Sequence, residues 1–123
     1  MQLVIIESPL SGDFPKNIRY ARLCMLDCLQ RGEAPFASHL LYPQCLNDDK
    51  QADRQLGITA GFAWAKIAVK RIFYMDLGYS SGMQAAKADA KKLKQKIEGR
   101  YLPEKLMQQL DQPGYNATKG FRD

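Results

Sequence analysis

Leu3, Val4, Ile5 and Ile6 form an unbroken apolar run, and the chain then changes at once into Glu-Ser-Pro-Leu-Ser-Gly-Asp. A short apolar run bounded by turn residues reads as a buried strand. Asp13 and Pro15 offer a helix start. Ile18, Ala21, Met25, Leu26 and Leu29 then recur on one helical face, and Gly32 closes the helix. The segment "APFASHL" (34–40) reads as a second strand, and "LYPQCLNDD" as a loop handing over to a helix near Asp48 or Asp49. In that helix Leu56, Ala60, Ala63 and Ile67 make the apolar stripe. Gly57 and Gly61 cost helix propensity, so they mark close packing against a neighbour. A third strand follows in "KRIFYMDL", rich in aromatic and branched residues. "GYSSG" turns into a third helix, where Met83, Ala86, Ala90, Leu93 and Ile97 face inward. "RYLP" is a candidate for a short final strand, "PEKLMQQL" reads as a proline-opened terminal helix, and residues 112–123 read as a mobile tail.

Alternating strands and helices with near-continuous apolar strands argue a parallel sheet with helices on both faces. Right-handed crossovers restrict the topology to a flavodoxin-like or Rossmann-like order. The expectation is one three-layer α/β domain over residues 1–123, with a parallel sheet of four to five strands. Its core spans about residues 3–103, and residues 104–123 supply the terminal helix and tail. In such sheets ligands bind beyond the carboxyl ends of the strands, where the strand order reverses. That rule groups three loops: Ser8 to Asp13, His39 to Asn47, and Asp76 to Met83.

Those loops hold ligand-binding chemistry. Ser8, Pro9, Ser11, Gly12 and Asp13 supply hydroxyls and backbone amides beside a helix start, which suits a phosphate or a sugar hydroxyl. Ser80, Ser81, Gly82 and Met83 repeat the arrangement at the third helix, although serine at a helix start also serves simply as a cap. His39 is the single histidine, suited to acid–base work or to a ligand contact, and no serine or cysteine nucleophile stands out as its partner. Tyr42 and Pro43 resemble a wall for an aromatic base whose edge Gln44 can pair with. Asp48 and Asp49 most simply cap a helix, whereas Glu7 is a charge placed where a buried strand ends.

Bulk properties narrow the partners. The net charge is +5, and much of the basic excess lies in "KADAKKLKQK" (87–96). No aromatic residues interleave with those lysines, so a solvated helix face is favoured over nucleic-acid binding. The field would still attract a small anion. No apolar run approaches a membrane span and no secretory signal is evident, so a cytoplasmic protein is expected. Cys24, Cys28 and Cys45 form no CxxC pair and read as free thiols rather than a metal site, and no cofactor is implied.

Together "IESPLSGD", the asparagine and arginine of "NIRYA", "RGEAPFASHLLYPQCLND", "RQLGITAG", "SSGM" and "GRYLP" resemble a family of small, often phage- or prophage-encoded domains. That family lies in the nucleoside 2-deoxyribosyltransferase-like superfamily. The resemblance runs from about Leu3 to Pro103. It implies a pocket for a nucleoside or nucleotide over the carboxyl edge of a flavodoxin-like sheet, and a homo-oligomer in the cytoplasm of a bacterium or phage-infected host. Transferases of the superfamily attack the sugar with a glutamate four residues after the turn glycine. Counting from Gly82 puts Ala86 there, and an alanine forms no glycosyl-enzyme intermediate. An aspartate that commonly precedes that glycine by two is here Ser80. Asp76 remains as a candidate to orient a sugar hydroxyl, and Glu7 as a relocated catalytic carboxylate. Asn116 in the tail is a weak match to an asparagine that superfamily enzymes contribute near their C-terminus. Three readings follow: a nucleotide binder that sequesters a nucleotide signal without glycosyl transfer, an N-glycosidase or transferase using Glu7 or Asp76, and an interaction protein with a vestigial pocket.

Overall fold

A computed structural model describes residues 1–111; the expected tail and Asn116 lie outside the described residues. Four strands, β1 (Gln2–Glu7), β2 (Glu33–Phe36), β3 (Lys70–Tyr74) and β4 (Lys96–Arg100), form one parallel sheet in the order β2-β1-β3-β4. The helices are α1 (Phe14–Gln30), α2 (Ser38–Leu41), α3 (Gln51–Ala65), α4 (Ser81–Lys92) and α5 (Glu104–Leu110), and a 3-10 turn covers Tyr42–Gln44. This is the expected three-layer, flavodoxin-type arrangement. The strand order reverses between β1 and β3, so a crevice opens where their carboxyl ends diverge.

Side-chain alternation divides the sheet into two faces. Val4, Ile6, Ile72 and Tyr74 pack with Tyr20, Leu23, Cys24 and Cys28 of α1 and with Leu106 and Leu110 of α5. On the other face Phe73 packs with Met83 and Ala86 of α4 and with the half-buried Phe62 of α3.

Several local expectations need correction. Ala21 is buried as expected and Met25 packs against the core, but the rest of the buried face of α1 is Asn17, Tyr20, Leu23, Cys24, Asp27 and Cys28, whereas Leu26 and Leu29 are exposed. Counting apolar residues alone misses this face, because its polar members are buried through specific hydrogen bonds. The second strand stops at Phe36, and Ser38–Leu41 coil into α2, which carries His39. Asp48 and Asp49 cap nothing: α3 opens after Lys50, and Asp53 instead accepts from the Asn47 amide at 2.9 Å. Helix α4 ends at Lys92, Lys94 takes a left-handed conformation (φ 54°), and Ile97 belongs to β4 rather than to the helix. "RYLP" lies after that strand, not within it.

The stripe of α3 is also turned around. Gly61 and Ala65 are buried, Leu56 is 59% exposed, and Ile67, 61% exposed, lies in the turn after the helix rather than on it. The close packing expected of the glycines is present. A Cβ on Gly61 would stand 2.6 Å from Ser38 Oγ, and one on Gly57 would stand 3.3 Å from Leu46 Cδ1. Glycine thus lets α3 lie directly against α2 and the turn after it.

Candidate functional site

Beyond the carboxyl ends of β1 and β3 lies a cavity of about 600 Å³, within the range of small-molecule sites. Three segments build it. The loop after β1 contributes Ser8, Ser11 and Gly12; α2 and the turn contribute Ser38, His39, Tyr42 and Pro43; the start of α4 contributes Ser80 to Met83. Helix α3 closes the side with Arg54, Ile58 and Phe62.

Each wall is held by contacts that the sequence encodes locally. Asn17, buried on α1, donates through Nδ2 to the carbonyls of Leu10 (3.0 Å) and Ser11 (2.8 Å). Its amide thereby fixes the loop that turns at Gly12 (φ 98°), a conformation that glycine adopts without strain. Ser80 caps α4, its Oγ accepting from the Met83 amide at 3.2 Å. Part of the serine chemistry at this helix is therefore spent on the cap. The remaining amides of its first turn face the cavity with the partial positive charge of a helix start.

Glu7 forms part of the cavity floor at the end of β1. Its carboxylate has no side-chain partner among the described residues. Burial pushes the carboxyl up to about 7, against the pull of Arg71, and Asp89 adds to the rise. Arg71 lies below, fully buried, donating through Nη1 to the Ala86 carbonyl at 2.7 Å and stacking its guanidinium 5.0 Å from the Phe62 ring. Its Nη2 is 2.8 Å from Asp89 Oδ2, close but off the hydrogen-bond direction. Beside Glu7, Ser8 Oγ and His39 Nε2 are 2.7 Å apart. Burial lowers the His39 imidazole to about 4, so it is neutral near pH 7 and takes one hydrogen from, or gives one to, Ser8. His39 does have a serine partner, one that only the fold brings to it.

Not every expected residue reaches the cavity. Asp76 turns to the opposite face of the sheet, where its Oδ2 accepts from Tyr20 Oη (2.5 Å) and the Leu102 amide (3.0 Å). Those bonds make it a structural clamp between α1 and the segment before α5. Pro9 and Asp13 are outside the lining, and Asp13 caps α1 by accepting from the Lys16 amide. Gln44 donates back to the Leu40 carbonyl at 3.1 Å instead of facing the cavity. Ala86, where the resemblance implies a nucleophilic glutamate, is buried against Phe73 and Met83 and is not in the lining.

Arg54 is the residue that sequence reasoning missed. It lines the cavity without an ion-pair partner among the described residues, and a second hollow of about 470 Å³ adjoins across Asp48, Asp49, Arg54, Ile58, Ser81 and Gly82. A signal was present, since Arg54, Gly57, Ile58 and Gly61 share one helical face. Among the described residues no group of three or more His, Cys, Asp or Glu side chains is arranged to hold a metal ion, and no helix is long and apolar enough to cross a membrane.

No curated protein and no solved structure matches the chain. One family model does, over residues 2–100, a span that takes in all four strands and every residue lining the cavity. The chain therefore belongs to the family described as "Domain of unknown function (DUF7768)".

Proposed function

We propose that the cavity binds a nucleoside or nucleotide and that the protein holds this ligand without glycosyl transfer. One observation carries the reading. The serine–glycine loops, Arg54 and the Tyr42–Pro43 wall line a single open cavity, while position 86 is a buried alanine outside it. In this reading the ligand's anionic group lies between Arg54 and the first turn of α4. The base lies against Tyr42, and a sugar hydroxyl meets Glu7. Retention of a bound nucleotide is also what sequestration of a signal requires. A vestigial pocket is less well supported, because Met83 lines the cavity without filling it and Tyr79 lies tilted against Phe73 outside the lining.

The second reading is an N-glycosidase, and Glu7 is the observation that favours it. A carboxyl that titrates near neutrality has the acidity a general acid needs. One incubation separates the two. Purified protein is mixed with adenosine, AMP, ADP-ribose and the corresponding guanine, cytosine and thymidine compounds. Free base is followed by chromatography, and bound ligand by release on denaturation. Intact ligand recovered without free base supports the binder, with Arg54→Gln weakening a phosphorylated ligand about tenfold or more. Base released by the wild type and not by Glu7→Gln would replace it with the glycosidase. Neither bound ligand nor free base would sink both.

A further inference from the structure

Glu7 stands opposite Phe73 in the register of β1 and β3, so its side chain belongs to the sheet face that α3 and α4 cover. The side chains around it supply no hydrogen-bond partner. Phe62 and Met83, which line the same cavity, carry no donor. Tyr79 directs its hydroxyl proton to the Met83 carbonyl at 3.5 Å. Arg71 acts on Glu7 through its charge, while its Nη1 donates to the Ala86 carbonyl. The hydrogen-bonding capacity of the carboxyl is therefore open to the cavity.

The charges nearby restrict what can fill that capacity. An anion would meet Glu7 and Asp89, and a cation would be set beside Arg71, so a neutral donor fits best. A second acceptor stands next to the first. Ser8 Oγ and His39 Nε2 share one hydrogen at 2.7 Å. A hydroxyl has one proton and two lone pairs, so whichever partner donates, Ser8 Oγ keeps a lone pair for the cavity. His39 is a positioning residue here, since it holds that oxygen in place.

We infer that the floor formed by Glu7 and Ser8 takes the two vicinal hydroxyls of a ribose, one on each residue, and so selects ribonucleotides over 2′-deoxyribonucleotides. This selection rests on the proposed nucleotide binding and adds the sugar to it. Two neighbouring acceptors match two neighbouring hydroxyls, whereas a 2-deoxyribose leaves one acceptor without a partner. A site built to hydrogen-bond a hydroxyl rejects the analogue that lacks it. The base against Tyr42 and the phosphate at Arg54 are common to both sugars, so Glu7 and Ser8 carry the choice.

The test is equilibrium dialysis of the full chain against AMP, GMP, CMP and UMP, each compared with its 2′-deoxy and 3′-deoxy forms. The wild type should bind a ribose form about tenfold to a hundredfold more tightly than either deoxy form. Glu7→Leu, similar in size and without an acceptor, should weaken the ribose form by about tenfold or more and become indifferent, within about twofold, to the loss of one hydroxyl. Ser8→Ala should become indifferent to the loss of the other. A role in packing alone would weaken all three forms equally. Glu7→Gln, whose amide oxygen still accepts, should keep part of the preference, and circular dichroism checks that each variant folds. Ribose and deoxyribose forms bound within twofold of one another, or a preference that survives both Glu7→Leu and Ser8→Ala, would overturn the ribose assignment and leave nucleotide binding standing. Failure of the wild type to retain any of these compounds would overturn nucleotide binding itself, and the sugar selection with it.

Discussion

Two clusters of polar groups lie on opposite faces of the sheet and are built on opposite terms. Under α1, Arg100 makes a bidentate pair with Glu33, 2.7 Å to each oxygen, and also contacts Glu98 and the Tyr74 hydroxyl. Lys70 bridges Glu33 and Glu98 at 3.0 Å each, and Tyr74 donates to Asp27 at 2.7 Å. Every charge here faces an opposite one, and the pairing draws Glu33 down to about 2. In the cavity, Glu7 and Arg54 have no side-chain hydrogen bond or ion pair among the described residues, and burial holds His39 neutral. A closed network specifies a fold. An open one has capacity left over for something that is not part of the chain.

The sharpest way to break this contrast is Arg100→Ala. It leaves Glu33 and Glu98 sharing Lys70 as their one cation, and removal of one member of a buried ion cluster costs about 3–5 kcal/mol. Urea denaturation should show that loss; a change under 1 kcal/mol would mean that the network is idle. Next in size is Glu7→Gln. The raised carboxyl favours the folded state below pH 4.5, and that contribution is lost as pH climbs through about 7. Glu7→Gln should therefore match the wild type near pH 4 and exceed it at pH 8 by up to about 3 kcal/mol.

His39 acts with the opposite sign. Its lowered pKa gives stability above pH 6.5 that is lost on acidification toward about 4. Between pH 4.5 and 6.5 the two slopes oppose one another in the wild type. Glu7→Gln should expose the histidine slope, and denaturation midpoints at pH 4, 5, 6, 7 and 8 would reveal whether it does. Gly61→Ala comes third. The added Cβ meets Ser38 and pushes α2, at a net cost of about 1 kcal/mol after the helix-propensity gain. The smallest effect on stability is that of Arg54→Gln, within about 0.5 kcal/mol by thermal melting, because its side chain makes no hydrogen bond or ion pair among the described residues. A large loss there would move Arg54 from the open cluster to the closed one.

The strand–helix alternation was legible because each strand is a compact apolar run with turn residues after it. The loops that form the cavity were legible from topology alone, which is why Ser8, Ser11, Gly12, His39, Tyr42 and the Ser80–Met83 turn are found where expected. What escaped was every feature decided by a distant partner. Asp76 sits beside the site in sequence, but Tyr20 and the Leu102 amide pull its carboxylate through to the other face. The stripe of α3 was read correctly as apolar and wrongly as internal, because the glycines on the opposite side win the closest approach. Arg54 belongs to no motif that marks a ligand contact, although its spacing from Gly57 and Gly61 places it on the helix face that meets the neighbouring wall.

The position of β1 in the sheet has a consequence for synthesis. It is flanked by β2 on one side and by β3 on the other, yet 33 residues, 37–69, lie between the end of β2 and the start of β3. At about 5–20 residues per second, roughly 2 to 7 s separate the emergence of the two neighbours from the ribosome. During that interval the Leu3–Ile6 segment presents an unpaired edge, the kind of surface on which nascent chains aggregate. Slowing translation across residues 37–69 should lower the soluble yield, and a chaperone that shields extended apolar segments should restore it.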